Sequence, residues 1–370
     1  MKSVRNFVVI GAGNGGKAMA AHLALMGHRV VLYNRNPDHL SAIKAHMGID
    51  LESIDGQPHG FAKLALITSD ISEALKDAEM IMVVVPSTAH ADIAKIVGPH
   101  LRDGQIIVLH PGRTFGALEF VKVLRDNACE ADVTVAEAET LIFIARSDGP
   151  AQARIFGIKE AVPIAALPAI RTNLVLRAIR QVFPQFINGV NVLHTGLNNM
   201  GAIFHPAVTL LNAGRIESTK EDFKFYIEGL TPSVGKVLEI LDAERVNVAS
   251  SLGIRAQTAV EWLKMAYNTT GVDLWEAIHK QTGYYEVKAP RSLQHRYLFE
   301  EVPMGLVPIA SLGRNNGVSV SGISSVIQLA CMIDKADYWS CGRTLEKLGL
   351  TKLSVTELTR YVNEGELGRL

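Results

Sequence analysis

Two stretches of this 370-residue chain carry residue types and spacings that could do chemistry. The first is GAGNGG at 11–16, which places Gly11, Gly13 and Gly16 in a GxGxxG frame directly after the apolar run FVVI. Gly11 allows a tight turn, Gly13 lets backbone approach a pyrophosphate, and Gly16 lets the following helix lie close to the strand. Ala12, Asn14 and Gly15 complete the loop. A helix opening there offers unpaired N–H groups and about half a positive charge to phosphates. A bare glycine turn is the alternative, but the strand before and the helix after are the context that dinucleotide binding requires. The second stretch is His205-Pro206. Proline breaks or starts a helix, so this imidazole is expected at a kink or a helix N-terminus. A histidine titrates near neutrality unaided and can both take and return a proton. The chain has 12 histidines, and an ordinary loop or surface role is the alternative for any one of them.

The second strand of the nucleotide unit, VVLY at 30–33, ends on Asn34 and Arg35 where an acid usually stands. An acid would accept hydrogen bonds from the ribose hydroxyls of NAD. Against a 2′-phosphate, each like-charge pair at ~5 Å and a dielectric of ~20 would cost on the order of 3 kcal/mol before screening. Asn34 removes that repulsion and can still donate a hydrogen bond. Arg35 can pair with the phosphate and lie on the adenine; a solvated surface arginine is the alternative. The expected cofactor is NADP(H). Two further turns, Pro86-Ser87 after MIMVVV and Pro111-Gly112 in LHPGRTFGALEF, are expected at the same ligand edge and are candidates to touch the cofactor.

The elements that must position these residues follow from hydrophobic patterning. In the first half, short apolar runs (7–10, 30–33, 80–85, 106–109, 133–137) alternate with segments of helical composition. Continuous apolar runs are strands covered on both faces, so the pattern predicts a doubly wound parallel α/β Rossmann domain. IFGIKEAVPIAALP reads as two further strands or a strand and a loop, and RTNLVLRAIRQVF as a helix. Beyond about 190 helical signals dominate. Thr231-Pro232 is a helix start, with Val234, Val237, Leu238 and Leu241 on one face. The expected domains are 1–188, dinucleotide-binding, and 189–370, all-α.

Bulk composition excludes several classes. Acids and bases balance at 37 each, which gives no basic footprint for nucleic acid. Three cysteines without CxxC spacing point to reduced thiols in a cytoplasm, and no run is long enough to span a bilayer. His90 and His110 lie on cofactor-edge loops without an essential role. Trp262, Trp275 and Trp339 read as core or subunit contacts. His279 and His295 lack metal-ligand spacing, and no metal is expected.

Three later stretches, AEAETLIFIARSDGPAQARIFGIK (136–159), LHTGLNNMGAIFHPAVTLLNAGRIE (193–217) and RYLFEEVPMGLVPIASLG (296–313), resemble the signature segments of the opine dehydrogenases, the octopine/nopaline dehydrogenase family. With GAGNGG and HPG…GALEF they cover most of the chain. The resemblance implies condensation of an amino acid amine with a 2-oxo acid, pyruvate by default, and reduction of the imine by a nicotinamide hydride. It implies a helical domain after the Rossmann domain, substrates in the cleft between, and a homodimer through the helical half. It matches His205 to the family's catalytic histidine and Glu301 to the acid that orients it; Arg296, five residues before Glu301, has the fork-shaped guanidinium to grip a substrate carboxylate bidentately. The family carries aspartate where this chain has Glu301, in EEVP rather than ED-x-P, one methylene longer. Two rival readings are an NADPH-dependent 2-oxo acid reductase of ketopantoate-reductase type and a non-enzymatic NADPH sensor. The first uses a lysine at its reaction centre, and no lysine lies in 193–217 or 296–313.

Overall fold

The computed structural model describes residues 5–365. The chain divides into two compact units. The first takes up the chain to Gly112, Gly116–Val192 and a short return at Val362; the second takes up Leu193–Tyr361 together with Arg113–Phe115.

The first unit contains twelve strands: β1 (Asn6–Ile10), β2 (Arg29–Tyr33), β3 (Gly48–Glu52), β4 (Gly60–Lys63), β5 (Leu66–Thr68), β6 (Met80–Val83), β7 (Ile106–Leu109), β8 (Thr134–Ala138), β9 (Phe143–Arg146), β10 (Gln152–Ile158), β11 (Val162–Leu167) and β12 (Phe186–Asn188). Eight form one sheet in the order β12-β11-β8-β7-β6-β1-β2-β5. From β5 to β8 the neighbours are parallel, and β11 runs antiparallel to β8. The apolar runs form strands because both faces are covered: every residue of β6 and β7 is buried. The chain leaves β1 toward β2 on one side and returns to β6 on the other. That reversal makes the carboxyl ends of β1 and β6 the crevice where ligands bind in such sheets.

A second sheet, β4-β3-β10-β9, packs on the first helix, α1 (Asn14–Leu25). Lys17 of α1 donates to the carbonyls of Gly149 (2.8 Å) and Pro150 (3.1 Å), which fastens the β9–β10 turn to that helix.

The second unit has helices as its described regular elements, with one isolated bridge between Lys224 and Lys288. Its central helix is α2 (Met200–Leu211), with α3 (Pro232–Ser250) against it. Thr231 caps α3 by accepting from the Val234 N–H, with Pro232 in the first turn. Asp242 and Arg245, one turn apart on α3, form a buried ion pair (2.6 Å). Arg245 also donates to the Leu197 carbonyl (2.6 Å), and Asp242 accepts from the Ala259 N–H (2.8 Å). Both charges are therefore satisfied, and they fix the chain just before α2 begins. Removing one partner of such a pair costs about 3–5 kcal/mol. Among the described residues no helix is long and apolar enough to cross a membrane.

Candidate active site

The glycine loop of the first unit needs glycine at two positions for its own sake. Gly11 has φ +112°, and a Cβ there would lie 2.4 Å from the Val84 carbonyl oxygen; a Cβ on Gly16 would lie 1.9 Å from the Gly11 oxygen. Gly16 thus seats α1 against the turn. Gly13 is different: it has ordinary extended geometry and nothing within 4 Å of a Cβ. The protein leaves that space open, which fits a phosphate approaching the backbone. Gly13 and Asn14 are exposed, Gly15 half-buried against Leu141 and Val84, and no side chain caps α1. Its first N–H groups are available to an anion.

Asn34 is spent on the protein. Its Oδ1 accepts from the Ala12 N–H (3.2 Å) and its Nδ2 donates to the Asn36 carbonyl (2.9 Å), so it staples the glycine loop to the end of β2. Arg35 is exposed, 3.6 Å from Asp92. Pro86 follows β6 on the surface and Ser87 is buried behind it. After β7 come Pro111 and Gly112; a Cβ on Gly112 would lie 2.4 Å from the Glu137 Cβ. His90 and His110 are fully buried in this unit, and His110 accepts from the Ile142 N–H (3.0 Å).

In the second unit, His205 lies mid-way along α2, with Pro206 inside the helix. Proline removes one helical hydrogen bond there. A short helix ends at Phe299, and Glu301 stands immediately before a π-helical turn, Val302–Leu306. That turn comes close because position 305 is glycine: a Cβ there would lie 2.7 Å from the Ala202 Cβ of α2. The close approach brings the Glu301 Oε1 to 2.8 Å from His205 Nδ1. Oε1 also pairs with Arg113 Nη2 at 2.9 Å. Glu300 takes a different set: Arg113 Nε (3.6 Å) and Arg296 Nε (3.1 Å). Of the two adjacent acids, then, Glu301 meets the histidine, and Arg296 pairs with Glu300, not with the histidine.

The second unit borrows Arg113 from the loop after β7. Both Arg113 (φ 59°) and Phe115 (φ 64°) are left-handed, a conformation that costs a non-glycine residue about 1 kcal/mol or more. The surroundings hold them there. The Thr114 N–H donates to the Met304 carbonyl (3.2 Å), Arg343 donates to the Thr114 carbonyl (2.6 Å), and Asn199 reaches both Thr114 and Arg113.

Charge follows from these contacts. Burial pushes the Glu301 carboxyl up, but the Arg113 guanidinium and the His205 N–H outweigh it and hold Glu301 well below the usual carboxylate range. Burial lowers the His205 imidazole, and the Glu301 bond offsets part of that. An ionised carboxylate only accepts, so Nδ1 of the neutral imidazole carries the proton. Nε2 is then an acceptor, and the Tyr226 hydroxyl lies 2.9 Å from it. Tyr297 stacks on the ring at 4.1 Å and 13°. The arrangement is an oriented imidazole that can accept a proton at Nε2, with an ionised partner to stabilise the cation.

Sequence comparison decides the family. The opine dehydrogenase of Arthrobacter sp. (strain 1C) is 40% identical over 361 residues, 97% of this chain and 99% of that one. This chain belongs to the opine dehydrogenase family. The family model for the NAD/NADP octopine/nopaline dehydrogenase alpha-helical domain matches 189–334, and that for the NAD-dependent glycerol-3-phosphate dehydrogenase N-terminus matches 6–115. Octopine dehydrogenase, solved with NADH and L-arginine and again with NADH and pyruvate, superposes with TM-scores of 0.79 and 0.78 at 18% and 20% identity. The first covers 100% of both chains, the second 96% of this chain and 98% of that one. NADP+-bound yersinopine dehydrogenase gives 0.76 at 14% identity over 95% of this chain and 98% of its own. The expected fold, a Rossmann unit with a helical one, is the one observed, and as a family member the chain is a nicotinamide-dependent oxidoreductase acting on CH–NH donors.

Within this opine dehydrogenase framework, Arg113 and Tyr226 escaped sequence reasoning. Arg113 left one signal. Two adjacent glutamates in the apolar run LFEEVPMGLVPIA need two cations once buried, and Arg296 supplies only one. Tyr226 left none, because nothing in its flanks singles it out among eight tyrosines. Of the tryptophans, Trp262 is buried against Phe204 and Tyr267, and Trp339 lies under Arg314. His279 is bound at both ring nitrogens to backbone carbonyls.

Proposed function

We propose that this chain is an NADPH-dependent opine dehydrogenase that condenses the amine of an amino acid with a 2-oxo acid, pyruvate first, and reduces the imine to a secondary amine dicarboxylate. The observation that carries the proposal is His205 held between Tyr226 and Glu301, the latter paired in turn with Arg113, so that the imidazole is oriented as an acid/base in a chain of this family. The first unit holds the cofactor through Gly11 to Gly16, a loop that Asn34 keeps in place from the end of β2. Arg35 meets the extra phosphate, and Pro86, Ser87, Pro111 and Gly112 line the cofactor edge. When bound, the nicotinamide supplies the hydride. His205 takes a proton from the substrate ammonium so that the amine can add, and returns one to the departing hydroxyl so that water leaves. Glu301 fixes the tautomer and stabilises the imidazolium. Arg296 grips a substrate carboxylate; its side chain is 47% exposed and reaches solvent beside Glu300.

The octopine dehydrogenase complexes with pyruvate and with L-arginine support the substrate classes, and the absent acid after β2 supports NADPH. A grid of amino acids against 2-oxo acids, run with NADPH and NADH, tests the reading. Cofactor consumption is expected only when amine and oxo acid are both present. Consumption with an oxo acid alone would make this a simple 2-oxo acid reductase.

A further inference from the structure

Both nitrogens of the His205 ring are occupied. Nδ1 donates to Glu301 at 2.8 Å, and Nε2 meets the Tyr226 hydroxyl at 2.9 Å. Tyr297 covers one face of the ring at 4.1 Å. Since Nδ1 holds the only proton of the neutral imidazole, the Tyr226 hydroxyl must be the donor in the second bond. Its oxygen keeps lone pairs with which to accept. Burial keeps this phenol protonated far above neutrality, so it does not ionise by itself. A proton bound for Nε2 therefore either displaces Tyr226 or passes through it.

We propose that Tyr226 is the proton relay of the site: its hydroxyl exchanges protons with the substrate, and His205 acts through that hydroxyl. This rests on the acid/base reading of His205 given above. With an amino acid bound as its ammonium, one substrate N–H bond breaks and a proton passes to the Tyr226 oxygen. The Tyr226 O–H bond breaks in turn and its proton forms the Nε2–H bond. The substrate becomes the free amine, His205 the imidazolium, and the phenol stays neutral. Once the amine has added to the oxo acid, the pair runs backward. Nε2–H returns its proton to Tyr226, and Tyr226 gives one to the hydroxyl of the adduct. The C–O bond breaks, water leaves, and the nitrogen lone pair closes the C=N bond. The ring stack of Tyr226 on Tyr284 (4.2 Å, 20°) and the edge contact with Phe225 (5.0 Å) hold the phenol in place for both transfers.

The ionisable groups that act on the pair include Glu301, Arg113, Arg296 and His295 around His205, and Tyr284, Tyr297, Tyr267, Glu301 and Arg113 around Tyr226. Of the two ring nitrogens, Nδ1 is taken by Glu301 and Nε2 by Tyr226.

The test is Tyr226→Phe, assayed with NADPH, pyruvate and the amino acid that the substrate grid ranks first, beside His205→Asn. The relay predicts that kcat falls by roughly 10²-fold, the scale of a lost acid/base contribution. It also predicts a proton inventory in mixed light and heavy water that is curved for the wild-type enzyme and linear for the variant. An unchanged kcat, or a change confined to KM with the pH profile unmoved, overturns it. If Tyr226→Phe does not fold, 3-fluorotyrosine placed at 226 alone preserves the packing and makes the phenol more acidic. The pH profile of kcat must then move, and a fixed profile overturns the relay. Loss in His205→Asn with Tyr226→Phe unaffected sinks the relay alone. Full activity in His205→Asn sinks the reading beneath it.

Discussion

A methyl group on Gly201 would lie 2.7 Å from the Glu301 Oε1 and 2.6 Å from the Arg113 Nη1. Gly201 sits four residues before His205, on the same face of α2, so the absent side chain is the space in which the carboxylate and guanidinium meet. Alanine in an exposed helix interior normally gains about 1 kcal/mol over glycine. Here the gain is opposed by the collision. Gly201→Ala is expected to lower kcat about tenfold or more while circular dichroism stays that of the folded protein. Unaltered kinetics would mean that the Arg113–Glu301 pair is not needed for turnover.

Glu301 and Glu300 are adjacent, equally buried and differently employed. Glu301→Gln keeps the shape but cannot stabilise an imidazolium, and kcat is expected to fall about 10²-fold. Because Glu301 opposes the downward push of burial on His205, its loss should also carry the acid limb of the opine-oxidation profile to lower pH. Glu300→Gln leaves the histidine's bond intact and should cost less than tenfold in kcat. Equal losses in the two variants, with no movement of the limb, would remove the distinction between them.

Several histidines are held neutral by the fold. Burial lowers His22 and His295 to about 4, and burial with the nearby Lys159 lowers His110 to about 3. Unfolded, each would titrate near 6.5. Between those values the unfolded chain binds more protons, so stability is complete above pH ~6.5 and declines as the pH falls toward 4. The urea midpoint should stay level above about pH 6.5 and drop steadily from there to pH 5. A midpoint that holds constant over that range would mean these rings are not buried neutral.

Arg35 is the test of cofactor choice. It is exposed, and among the described residues its ion pair is the loose contact with Asp92. Screening makes a pair of that kind worth little, so the side chain is free to turn to a phosphate. Arg35→Ala should weaken NADPH binding about tenfold and leave NADH within twofold, as read by fluorescence titration. Equal weakening of both, or tighter NADH binding by the unaltered protein, would contradict the NADPH assignment.

The parallel sheet was legible because its strands are buried on both faces and read as unbroken apolar runs; Met80–Val83 and Ile106–Leu109 needed no tertiary information. The second sheet was less so. Its strands GIDLE and GFAK carry no apolar run, and GIDLE, beside GFAK, pairs on its other side with a segment a hundred residues away. The same limit applied to the site. Thr231-Pro232 announces a helix locally, and the resemblance marked His205 and Glu301. Arg113 lies in what reads as a cofactor-edge turn, and its carboxylate partners are almost two hundred residues on. Contacts that long in sequence are set by packing, here by the glycines at 201 and 305, and no local pattern encodes them.

The central claim is that His205 carries the proton in a reaction that needs an amine and an oxo acid together. His205→Asn keeps the ring's approximate size and its place in α2. Measured with NADPH, pyruvate and the preferred amino acid, it should lose about 10³-fold or more in kcat while the affinity for NADPH stays within twofold. Turnover within threefold of the unaltered enzyme would contradict the account.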